Sequence, residues 1–88
     1  MNETVFSLTK VINLDPEDYE EGLRLEIAIQ AMQIAADTPL AYAERTLMQE
    51  IEWWQTISKK YKFQLTDELV FDPYMATIKV YEEVVHTW

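Results

Sequence analysis

The sequence predicts a mainly α-helical single domain spanning residues 1–88: a long antiparallel helical hairpin over about 16–36 and 39–61, then a C-terminal helix over about 73–87. Three observations carry that prediction. Each proline follows a residue that caps helices, at Asp15-Pro16, Thr38-Pro39 and Asp72-Pro73. Proline is well suited to the first helical position, where its missing N–H would be unpaired anyway. Long stretches carry apolar residues at steps of three and four. Only Asp37-Thr38 separates the first two stretches, a connection short enough to fold neighbouring helices back on each other. The alternative is an α+β fold with a short N-terminal strand.

At the start of the chain, Val5, Phe6, Leu8, Val11 and Ile12 fit a short helix or a strand equally. As a strand, this segment has Tyr61 to Leu65 as its expected partner. The first long helix begins at Asp15, followed by Glu17, Asp18, Glu20 and Glu21, whose charges favour the positive end of the helix dipole. Leu23, Ile27 and Ile34 form one stripe on it, and Leu25, Ile29, Met32 and Ala36 form an adjoining one, giving a wide apolar face. Gly22, the only glycine, sits in its second turn at a cost of up to about 1 kcal/mol relative to alanine, which admits a close neighbour.

In the second long helix Leu40, Ala43, Leu47, Ile51, Trp54, Ile57 and Tyr61 define the expected buried stripe. Residues 62–71 alternate at Phe63 and Leu65, then offer Thr66-Asp67-Glu68 as a turn or a single helical turn. The last segment has strand-forming residues in Thr77, Ile78, Val80, Tyr81, Val84 and Val85. Against that, Tyr74, Ile78, Tyr81, Val85 and Trp88 are spaced four, three, four and three, whereas a strand register mixes Glu82 and His86 with Ile78 and Val84. Periodicity therefore favours a helix.

Composition narrows the function classes. Sixteen Asp plus Glu face seven Lys plus Arg, a formal charge of −9, so a general basic field for direct nucleic-acid binding is missing. Three Trp, five Tyr and three Phe supply more apolar surface than a disordered acidic segment carries. The absence of cysteine removes disulfides and thiolate metal sites and suits a reducing, cytoplasmic setting. The acidic start reads as mature protein rather than a signal peptide. Neither a membrane span nor attraction to an anionic membrane surface is expected.

Candidate chemistry is sparse. Asp15, Glu17 and Tyr19 begin a calcium-loop pattern, but Glu20 stands where that loop needs glycine. Glu83-x-x-His86 has di-iron ligand spacing without the second copy such a site requires, although a homodimer supplies one in principle. A catalytic triad has only His86, close to the C-terminal end, to draw on, and with Gly22 as the single glycine there is no phosphate-cradling loop. Glu50 is the acid nearest the apolar stripe of the second helix and the single candidate for a carboxylate acting alone. A non-enzymatic protein without cofactor or metal is the expectation.

Binding to another protein is the reading that remains. Six carboxylates fall between residues 15 and 26, while Lys59, Lys60 and Lys62 gather at the end of the second helix, so the charge is polarised. The expected contact residues are Glu17, Asp18, Glu20 and Glu21 as an acidic docking face, with Tyr42 and Trp53 as aromatic anchors. The expected role is stoichiometric inhibition or antagonism of a basic protein, including one that binds nucleic acid. Acidic immunity proteins and DNA mimics share this composition, by charge alone. The alternative is a helical assembly or scaffolding component acting as a homo-oligomer such as a homodimer, with the wide face of the first long helix and Trp88 buried between copies.

Overall fold

In the computed structural model, which describes residues 2–35, 37–65 and 68–87 and only the backbone of Asn2, His86 and Thr87, the element order is strand, two helices, two strands. Strand β1 (Asn2–Asn13) leads through Leu14 and Asp15 into helix α1 (Pro16–Ile34), followed by α2 (Leu40–Tyr61), β2 (Glu68–Asp72) and β3 (Thr77–Thr87). The strands form one antiparallel sheet in the order β1-β3-β2. The fold is thus α+β, as in the stated alternative, and the mainly α prediction is corrected. No helix among the described residues is long and apolar enough to cross a membrane.

The two prolines at 16 and 39 do stand at helix starts, but neither preceding side chain caps the helix. Asp15 sends its carboxylate to Lys60, and the Thr38 hydroxyl donates to Ala35 O. At the third proline the expected helix is replaced by a turn. The Asp72 carboxylate accepts the N–H groups of Tyr74 and Met75 at 3.0 and 3.2 Å, and Ala76 takes a left-handed φ of 52° to bring the chain back. An N-cap and an Asx turn use the same side-chain bond, so the local signal was genuine and the continuation differed.

The C-terminal segment is strand β3, and β1 pairs with it from Asn2↔Thr87 to Asn13↔Thr77, in place of the expected partner Tyr61 to Leu65. The objection that a strand mixes Glu82 with Ile78 and Val84 loses its force because only the first half of β3 lies under the helices. Ile78 and Val80 are buried there, whereas Glu82, Glu83 and Val85 are exposed. Beyond Tyr81, opposite the first residue of β2, the pairing continues as a two-stranded ribbon with β1. A ribbon with water on both faces tolerates mixed polarity. Thr66, Asp67, Ala36 and Trp88, about which the sequence also made predictions, lie outside the described residues.

The core joins Ile12 and Leu14, Leu25, Trp53 and Ile57, and Ile78 and Val80, with Leu69 and Phe71 of β2 packed against it. The helices are antiparallel: Asp18 near the start of α1 meets Lys60 near the end of α2, and Arg24 meets Gln49. The buried face of α2 runs through Thr46, Trp53, Ile57 and Ser58, so the expected stripe is corrected: Leu40, Leu47 and Ile51 are exposed. Polar residues occupy the buried face at no hydrogen-bonding cost, because the Thr46 hydroxyl donates to Tyr42 O and that of Ser58 to Gln55 O.

Candidate partner-binding surface

The acidic start of α1 is braced from within. Lys60 Nζ lies 2.7 Å from Asp18 Oδ2 and 2.9 Å from Asp15 Oδ2. Tyr61 Oη donates to Asp18 Oδ2 at 2.6 Å and accepts the Asp15 N–H at 2.8 Å. Hydrogen bonds from Lys60 and then Tyr61 hold the Asp18 carboxyl below the usual aspartate range, and the bonds of Lys60 to Asp18 and then Asp15 raise its ammonium. Burial, more than any other cause, pushes the Tyr61 hydroxyl up. The charge polarity read from sequence is therefore partly cancelled, since the lysine end of α2 folds onto the acidic end of α1.

The predicted contact residues are spread over several places. Glu17 and Glu20 are exposed and make no described ion pair. Asp18 belongs to the brace, and Glu21 pairs with Arg24 on its own helix. Tyr42 is exposed at the far end of the hairpin, about 27 Å from Lys60 along α2 at 1.5 Å per residue. Trp53 is 9% exposed and its Nε1 donates to Asp18 O at 3.1 Å. Its indole packs edge-on to Trp54 and Phe71, with centroids 5.1 and 5.4 Å away, so most of this predicted anchor is core.

One edge of that core remains open as a cleft. Its cavity volume is about 250 Å³, and it lies between the hairpin and β2. Leu25, Trp53, Trp54 and Phe71 form apolar walls, and half-buried Glu26 and Glu50 join them from the two helices. Glu26 accepts a hydrogen bond from Gln30 Nε2 at 3.1 Å. Neither carboxylate has an ion-pair partner among the described residues, and no Lys or Arg lines the cleft.

The combination of aromatic faces and uncompensated carboxylates can receive a positive charge attached to an apolar stem, as found in Arg and Lys. Glu50 was singled out in the sequence by its closeness to the apolar stripe, whereas Trp54, Phe71 and Glu26 were not read as one site. Residues 26, 50 and 71 meet only through tertiary packing. The available signal was Gly22, also at the cleft, whose missing side chain lets Trp53 approach α1.

Glu83 lies exposed on β3 opposite Phe6 and does not line the cleft, and the His86 side chain is outside the described residues. Among the described residues no group of three His, Asp or Glu side chains is placed to hold a metal ion. A second surface is apolar: Leu40, Leu47, Met48 and Ile51 are all exposed and fall within about 100° of one another around α2, interrupted by Glu44. Comparison with protein-family models, curated proteins and solved structures gave no match.

Proposed function

We propose that this chain is a small acidic protein-binding module that engages a basic protein and acts on it stoichiometrically, as an inhibitor or antagonist. The cleft carries this reading, because Glu26 and Glu50 stand beside Trp53, Trp54 and Phe71 without a cation of their own. Its cavity volume of about 250 Å³ is below the range of about 300 to 1,000 Å³ usual for small-molecule pockets, which suits one side chain of a protein better than a free metabolite. Exposed Glu17 and Glu20, with a net charge of −9, add a field that steers a cationic surface towards the molecule. Proteins that bind nucleic acid are partners of this chemistry, with the carboxylates occupying the place of phosphates.

The test is capture of the partner from source-cell lysate, followed by affinity measurement from low to high salt for the native chain and a Glu26→Gln/Glu50→Gln variant. The expected result is a basic partner, binding that weakens steeply with salt, and a loss of about tenfold in the variant, equivalent to about 1.4 kcal/mol. Binding indifferent to both salt and the double substitution overturns the reading.

The exposed stripe of Leu40, Leu47, Met48 and Ile51 favours a second reading, homo-oligomeric assembly through α2. Sedimentation at micromolar concentration separates the two. A dimer that becomes monomeric on Leu47→Glu supports assembly, and a strict monomer removes it.

A further inference from the structure

We propose that the outer edge of β2 is a strand-docking site: an extended segment of the basic partner adds to the sheet beside Glu68–Asp72 and seats an Arg or Lys side chain in the cleft next to Glu26 and Glu50. The inference rests on the basic-partner reading and specifies how that partner is held.

The shape of the cleft identifies the edge. Leu69, Val70 and Phe71 all line it. Successive strand residues point to opposite faces of a sheet. Here Leu69 and Phe71 lie on the face of Val80 and Ile78, while Val70 lies opposite Lys79 on the other. A cavity bordered by three consecutive residues lies against the strand itself, and β2 is the outermost strand on that side of the sheet.

That edge is open among the described residues. In the order β1-β3-β2, β2 is hydrogen-bonded to β3 alone, which leaves the outward N–H and C=O groups of alternate residues unpaired. The two edges of the sheet differ in how they meet this exposure. β1 carries a register shift between Leu8 and Lys10 and a lysine at that point, both features that discourage further pairing. β2 reads Glu-Leu-Val-Phe-Asp in continuous register, with no lysine, proline or bulge.

Charge selects the occupant. Glu26 and Glu50 line the cleft and exposed Glu68 lies on the other face of β2, so an incoming strand meets carboxylates on both sides, while Asp72 is occupied by Lys79. A second copy adding β2 to β2 brings two sets of these carboxylates together without a cation, whereas a basic segment neutralises them. Main-chain hydrogen bonds then supply affinity, and the side chain entering the cleft supplies selectivity.

The test titrates the full isotope-labelled chain with a capped ten-residue peptide alternating Arg and Val. The expected result is chemical-shift change across Leu69, Val70 and Phe71 and slowed hydrogen exchange at those of their amides that point outward from β3. Binding is expected to be at least tenfold weaker for the same peptide N-methylated at every backbone amide, and for an alternating Glu and Val peptide. Glu50→Gln should weaken the Arg peptide several-fold while the spectrum of the free chain changes only around residue 50. Equal binding of the N-methylated peptide, or shifts confined to Glu17 and Glu20, overturns the strand-docking site while leaving a salt-dependent basic partner standing. Amide protection at β2 that rises with protein concentration in the absence of peptide assigns the edge to self-pairing and also overturns it.

Discussion

Gly22 and Trp53 occupy neighbouring parts of one space: a Cβ at position 22 would stand 2.5 Å from the indole Cζ2. Alanine normally gains about 1 kcal/mol over glycine within a helix. Here the gain is outweighed by moving a ring wedged between Trp54 and Phe71, because overpacking costs about 1 to 3 kcal/mol. Gly22→Ala should therefore lower the denaturant midpoint. In a Trp53→Phe background the same change should become neutral or stabilising, which a double-mutant cycle measures.

The Asp18 brace gives stability a defined acid limb. Its carboxyl titrates below the ordinary 3.8 in the folded chain, so the unfolded chain binds more protons as the pH falls. The contribution is fully present above the unfolded value and is lost as the pH drops through the folded one. Lys60 and Tyr61 are raised, so their contributions are present below the unfolded values and lost as the pH rises through the folded ones. Asp18→Asn should lower the melting temperature at neutral pH and flatten its fall below about pH 4, as followed by circular dichroism from pH 7 to 2.

The two faces of α2 are separated by a pair of isoleucines. Ile57 is fully buried and Ile51 is 56% exposed. Ile57→Ala should cost about 2 to 5 kcal/mol, whereas Ile51→Ala should stay within about 1 kcal/mol of the native chain in urea denaturation. Equal losses would return Ile51 to the core and overturn the helix orientation.

Thr77 is 5% exposed and its hydroxyl has no hydrogen-bond partner among the described residues. A buried hydroxyl without a partner carries a desolvation cost that valine, of nearly the same shape, does not. Thr77→Val should raise stability by up to about 1 kcal/mol, read from the thermal midpoint.

Strand β3 should exchange its amides unevenly. Ile78 and Val80 lie in the core between two strands, whereas Glu83 and Val84 belong to the ribbon paired with β1 alone. Native-state hydrogen exchange should show opening near the global unfolding free energy at Ile78 and Val80 and much easier opening at Glu83 and Val84. Uniform protection along β3 would show that the ribbon is covered.

The features that short-range chemistry controls were legible. Pro16 and Pro39 mark the helix starts within one residue, and Gly22 indicates a close neighbour because glycine within a helix is otherwise a loss. Of the cleft, Trp53 was expected as an aromatic anchor and Glu50 only as a carboxylate acting alone, beside a stripe whose Leu47 and Ile51 are in fact exposed. The turn at Asp72 shows the limit of such signals, since its carboxylate makes bonds that suit an N-cap equally well. A side chain that captures two N–H groups does not determine what the backbone does afterwards.

Local residue chemistry thus settles where this chain turns, where two helices run and that it is strongly acidic, because those properties depend on side chains a few positions apart. Tertiary structure alone decides three further things. β3 is a strand because β1, more than sixty positions earlier, supplies the pairing edge over its full length, and because most of its mixed-polarity half lies beyond the core. α2 buries Trp53 and leaves Leu47 and Ile51 in water because Gly22 and Phe71 offer the indole a seat. The aromatic and acidic cleft exists because residues 26, 50 and 71, unremarkable in their own neighbourhoods, are brought together when the hairpin packs against β2.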